Sequence, residues 1–192
     1  MRARRPAFAI LAGSLLAACA SGPETSPADM KATFNAGLKA YDAGDYPTAY
    51  KTWVTIDDVD LGAMRNVAVM LRTGKGVAKD PKAAQAMMQR AAEAGLFTAQ
   101  ADLADMLIKG EAGPPNPKAA LPWLILAAQQ GHPMAQFELG QLYEQGTVIP
   151  QDLNAARKLY EAAAAGGVDE AKARLDALGP SAAPAPPTAA GH

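Results

Sequence analysis

Ala63, Ala99, Ala135 and Ala171 stand 36 residues apart, and a chain that keeps such a period must fold as a stack of like units. The register carries more than alanine. Eleven residues after each of the first three come Gly74, Gly110 and Gly146, and seventeen after come Asp80, Asn116 and Asp152. The pairs Ala83-Ala84, Ala119-Ala120 and Ala155-Ala156 follow, then Ala91-Ala92, Ala127-Ala128 and Ala163-Ala164, and Gly95, Gly131 and Gly167 close each unit. Chance does not hold so many columns in step without a gap.

Each unit reads as two helices. A glycine accepts the left-handed backbone that ends a helix, so the glycine at offset eleven closes the first. Asp80-Pro81 and Asn116-Pro117 open the second, because a short polar side chain caps free amides and proline suits the first helical position. Asp152-Leu153 does the same without proline. First helices are expected over 63–73, 99–109 and 135–145, and second helices over 81–94, 117–130 and 153–165. Ala68, Ala104 and Gly140 share one column, and Leu71, Leu107 and Tyr143 share another three residues on, which places both columns at a packing face. Met64, Met70, Met87, Met88, Met106 and Met134 are expected to fill core gaps. One hairpin cannot bury its apolar face alone, so neighbours must stack.

Upstream the length changes but the logic holds. Gly44-Asp45-Tyr46 makes a tighter turn between helices expected at 30–43 and 46–57. Asp57-Asp-Val-Asp60 reads as an exposed acidic connector that caps the next helix, and it lacks the twelve-residue ligand spacing of a calcium loop.

These columns resemble the Sel1-like repeat, most clearly in Ala135-Gln-Phe-Glu-Leu-Gly140, Tyr143, Gly146, Asp152, Ala155 and Gly166-Gly167. Gly74-Lys-Gly76-Val77 is similar to the family's loop. Gly37, Ala40, Gly44-Asp45-Tyr46 and Ala49 lie closer to a tetratricopeptide repeat. The resemblance covers about residues 30–178 and implies an all-α, right-handed superhelical solenoid, with hairpins near 30–62, 63–98, 99–134 and 135–170 and a capping helix at 169–178. It specifies fold far better than function, because solenoids bind many things. Two features depart from the pattern. The second repeat carries Gly110-Glu-Ala-Gly-Pro-Pro-Asn116 in its loop, and Pro122 falls inside its second helix, where a kink near 118–122 is expected. The single cysteine separates the chain from the disulfide-bridged branch of the family, and with it from that branch's β-lactam binding or cleavage, which stays only as a remote alternative.

The N-terminus reads as an address and an anchor. Met-Arg-Ala-Arg-Arg5 is basic, and the apolar run over 6–18 is too short to span a bilayer, so residues 1–18 read as a secretory signal. Leu16-Ala17-Ala18-Cys19 resembles the bacterial lipobox, which implies lipid attachment at the Cys19 thiol. Two or more acyl chains hold stably at about 0.8 kcal/mol per buried methylene. Ala20 in place of an aspartate implies the periplasmic face of the outer membrane. Residues 19–29 are expected to be a lipid-anchored tether, and the Pro/Ala-rich 179–192 a disordered tail. Loss of residues 1–18 removes three arginines, leaving 15 bases against 19 acids, which argues against a nucleic-acid partner.

No catalytic constellation is legible. His132 and His192 have no metal-ligand neighbours at suitable spacing, and no cofactor motif is present. The expectation is a non-enzymatic protein-binding scaffold with envelope proteins as partners, assisting polysaccharide secretion or the assembly of an envelope complex. A curved stack offers an inner face lined by first helices. Tetratricopeptide-type geometry implies that this face carries Phe34, Leu38, Tyr41 and Asp42, then Arg65, Val69 and Arg72, then Asp105, Ile108 and Lys109, then Phe137, Gln141 and Glu144. Phe34, Tyr41 and Phe137 are the expected anchors, since aromatics dominate interfaces. A peptidoglycan- or carbohydrate-binding module is the alternative, with Trp53 and Trp123 as stacking surfaces, although their places on second helices argue for core.

Overall fold

The computed structural model describes residues 26–179, so Cys19, the signal, most of the tether, the Pro/Ala-rich tail and His192 lie outside the described residues. The described chain runs as hairpins: α1 (Pro27–Asp42) with α2 (Tyr46–Val54), α3 (Leu61–Thr73) with α4 (Pro81–Glu93), α5 (Phe97–Lys109) with α6 (Pro117–Gln129), and α7 (Pro133–Gln145) with α8 (Leu153–Ala165). A last helix, α9 (Asp169–Leu178), closes the stack.

The helix ends follow from their caps. Within the repeats, the first helices start two residues before the alanine column, because Ala63 and Ala135 are third residues whose amides are held by caps. Asp60 Oδ1 accepts from Ala63 N at 2.7 Å, and His132 Nδ1 accepts from Ala135 N at 3.3 Å. At the second helices Asp80, Asn116 and Asp152 accept from Ala83, Ala119 and Ala155. At Gly95, with φ +92°, the amide bonds to the Ala92 carbonyl while Leu96 N reaches back to Ala91 O at 3.0 Å. This left-handed closure satisfies two end carbonyls, and it recurs at Gly131 and Gly167.

The alanine columns are the core. Ala63, Ala99, Ala135 and Ala171, with Ala84, Ala120, Ala156, Ala91, Ala127 and Ala163, are essentially fully buried. Small side chains let helices approach closely, so the gaps are filled by few large groups: Met70, Met88, Leu103, Met106, Leu124 and Tyr160. Gly140 is a tight point within the repeats, for a Cβ there would stand 2.7 Å from the Tyr160 ring.

Several sequence expectations need correction. Met134 is 44 % exposed rather than core, because it lies in the first turn of α7 and borders a surface depression, and Met87 is only half-buried. Residues 27–29 are the first helical turn and not tether, since the Ser26 hydroxyl accepts from Asp29 N and Pro27 fits the first position. Helix α2 ends at Val54, three residues early, because a turn over 55–59 drives Ile56 into the core, where it is 2 % exposed. Helix α6 stays helical on both sides of Pro122, which lies on the exposed side and leaves the Lys118 carbonyl without its amide donor, so the proline does not end the helix.

The opening hairpin has its own cement. Trp53 is 2 % exposed, its indole N–H donates to the Phe34 carbonyl at 3.1 Å, and the rings of Phe34 and Tyr41 lie 6.1 and 5.8 Å from it. Gly37 makes room, as a Cβ there would fall 2.4 Å from the indole nitrogen.

Candidate binding surface

First helices draw together on one side of the stack. Helix α5 touches α7 directly, and side chains of α3 reach those of α5. Elements on the inside of a curve are the ones that approach, so this is the inner face.

Two arginines stitch it. Arg65 Nε stands 2.6 Å from Asp102 Oδ2, off the axis of a hydrogen bond, so the contact is ionic. Arg72 forks between Asp105 and Glu111, with its Nε donating to Glu111 Oε2 at 2.7 Å, and Lys109 Nζ adds a 2.7 Å contact to Asp105. The Glu111 hydrogen bond leads in raising the Arg72 pKa, and the same bond holds Glu111 below the usual carboxylate range. Burial works against the Asp105 charge, but Lys109 and Arg72 still hold its pKa down.

Three depressions line the inner face. The first, about 260 Å³, lies between α1 and α3 against Leu38, Tyr41, Asp42, Arg65, Asn66 and Val69. The second, about 270 Å³, is bordered by Asp102, Asp105, His132, Met134 and Glu138. The third, about 330 Å³, continues past Asp105, Lys109 and Glu138 to Ile108, Gln141 and Leu142. Burial depresses the His132 pKa, consistent with a neutral ring whose Nδ1 accepts from the α7 backbone.

Of the residues singled out in the sequence, Leu38, Tyr41, Asp42, Arg65, Val69, Asp105, Ile108, Lys109 and Gln141 border these depressions. Phe34, Arg72, Phe137 and Glu144 do not line them and have internal duties. The expectation of three free aromatic anchors is corrected. Phe34 and Tyr41 pack on Trp53, and Phe137 lies 5.6 Å from Tyr160, so all three are half-buried parts of the core margin. Tyr41 still shows its hydroxyl, which accepts from Lys75 Nζ at 3.1 Å. Glu144 takes the Tyr160 hydroxyl and lies 3.5 Å from Arg174. Arg72 is consumed by its two carboxylates.

Sequence reasoning missed one column. Asn66, Asp102 and Glu138 share the repeat register, three residues past the alanines, and all border the inner depressions. Polar residues recurring within an otherwise apolar stretch of the first helix were the available signal.

Glu138 is the odd member. Burial, with Asp105 and then Asp102 repelling it, pushes its carboxyl up to about 7, against opposing pulls from Lys109 and Arg72. A folded-state pKa above the unfolded value means the native state holds the extra proton. That stability is complete below about pH 4.5 and is lost as pH rises through about 7. Thermal melts should therefore fall from pH 5 to pH 8, and Glu138→Gln should flatten the slope. An unchanged slope would assign it to another group.

Comparison with known proteins follows the same lines. A family model described as Sel1 repeat matches residues 62–96, 98–132 and 133–168. A solved Sel1 repeat protein from Oxalobacter formigenes is 31 % identical with a TM-score of 0.71, covering 76 % of this chain and 60 % of its own. The c5321 protein, a protective antigen present in uropathogenic Escherichia coli strains, is 26 % identical with a TM-score of 0.70, covering 78 % of this chain and 33 % of its own. The chain thus spans about three fifths and one third of those structures. Immunity protein Pa5087 from Pseudomonas aeruginosa, at 23 % identity and a TM-score of 0.55, shares the fold. No curated protein matches the chain.

Proposed function

We propose that this chain, which belongs to the Sel1 repeat family, is a non-catalytic scaffold that binds protein partners across its inner face while lipid at Cys19 holds it to the bacterial envelope. One observation carries the binding half: three depressions follow one another along the first helices, bordered by polar and charged side chains such as Asp42, Asn66, Glu138 and Gln141 that lie outside the core clusters. The lipobox-like Leu16-Ala17-Ala18-Cys19 supports the anchoring half, and Ala20 favours the periplasmic face of the outer membrane. Among the described residues no helix is long and apolar enough to cross a membrane. Assistance to polysaccharide secretion, or to assembly of an envelope complex, is the role such an anchored scaffold would fill. The sugar-stacking alternative loses its main support, because Trp53 is 2 % exposed with its indole N–H engaged.

The test is paired. Leu38→Glu with Gln141→Arg changes the inner face at two bordering residues, whereas Lys118→Glu changes an exposed second helix. Crosslinking in intact cells should lose its partners with the first pair and keep them with the control, at equal thermal stability. Partners retained by both variants would remove the inner face from the function. In parallel, Cys19→Ser should abolish detergent partitioning and the fatty-acid mass, and an unmodified Cys19 in the wild-type mature protein would sink the anchor.

A further inference from the structure

The groove over α5 and α7 contains one carboxyl group that no cation of the described residues answers. Asp102 has Arg65 at 2.6 Å, Asp105 has Lys109 at 2.7 Å together with Arg72, and Glu111 has Arg72. Among the described residues no cation comes within ion-pair distance of Glu138, and no side chain donates a hydrogen bond to it. Lys109 borders the same depressions but is engaged by Asp105. His132, the other titratable neighbour, has its pKa lowered by burial and spends Nδ1 as acceptor for the Ala135 amide.

Glu138 also stands where the second and third depressions meet, since it borders both. A half-buried carboxylate without a partner is costly in its charged form, and an incoming cation removes that cost. We propose that the groove over α5 and α7 receives a lysine or arginine side chain from an extended segment of a partner protein, with the Glu138 carboxylate as its counter-ion. This deepens the scaffold reading and rests on it. The rest of the groove suits a polypeptide. Gln141 and Gln145 present amides that can pair with a backbone, and Ile108, Leu142 and Val148 offer apolar contact to the neighbouring side chain. The raised pKa of Glu138 fits a site built to be completed from outside, because ionisation is favoured once the cation arrives.

The experiment uses a random dodecapeptide phage library selected on the full chain at pH 8, then on Glu138→Gln and Gln141→Arg. Recovered peptides should be enriched in one lysine or arginine position. Replacing that residue by norleucine, or Glu138 by glutamine, should weaken binding about tenfold, as a charge-assisted contact predicts. Wild-type affinity should rise between pH 6 and pH 8 as Glu138 ionises, and the glutamine variant should lose that rise. Peptides weakened by Gln141→Arg yet bound equally by Glu138→Gln, or lacking a cationic position, would leave the scaffold surface standing and overturn the counter-ion. A selection that yields no peptide sensitive to Gln141→Arg would overturn both.

Discussion

Gly140→Leu should destabilise the protein by about 2–3 kcal/mol, toward the top of the range for overpacking, because the new side chain meets a fully buried ring rather than a flexible tip. At about 2–4 °C per kcal/mol for a chain of this size, the melting temperature should fall by about 4–12 °C. The register explains the tightness. The columns pair Ala68 with Met88, Ala104 with Leu124 and Gly140 with Tyr160, so the largest partner faces the smallest residue. A Cβ at position 140 would already sit 2.7 Å from the Tyr160 ring, so Gly140→Ala should cost stability too. Combining it with Tyr160→Leu copies the second repeat's pair and should recover much of the loss in a double-mutant cycle. Additive losses would show that the two residues are not a size-compensated pair.

Trp53→Ala should cost about 3–5 kcal/mol, the range for emptying an aromatic site in a core. It removes the ring on which Phe34 and Tyr41 rest and leaves the Phe34 carbonyl without its donor. The effect should be local before it is global. Helices α1 and α2 pack extensively on each other, and α2 passes the contact to α3, so the opening hairpin should loosen while α5 to α8 hold. Hydrogen exchange should then rise first over residues 27–54. Uniform acceleration along the whole stack would mean that the array melts as one unit.

Small residues made this fold legible. Alanine and glycine columns reveal where helices touch and stop, because those demands fall on the backbone and admit few substitutes. Large side chains are read less securely. Phe34, Tyr41 and Phe137 occupy positions that face inward along the curve, yet each leans sideways onto a neighbouring ring, and a helical register does not encode that lean. Met134 shows the reverse, an apolar residue at a helix start that the core does not reach. His132 went unread as a cap because Asp, Asn, Ser and Thr dominate that position. Glu138 lay in a visible column, but its missing cation is a three-dimensional fact, settled by Arg65, Arg72 and Lys109 turning to other carboxylates.

The order of contacts along the stack also sets how it answers to force. The main helix-to-helix contacts join elements adjacent in sequence, so a load between the two ends passes through the hairpins in series. Among the described residues no strand ties the first unit to the last, and each interface bears the full tension alone. Under pull the weakest hairpin opens first and releases one 36-residue period, about 120 Å of extended chain, while the others stay folded. A molecule tethered at one end and gripped by a partner at the other would lengthen in steps of that size instead of rupturing at once.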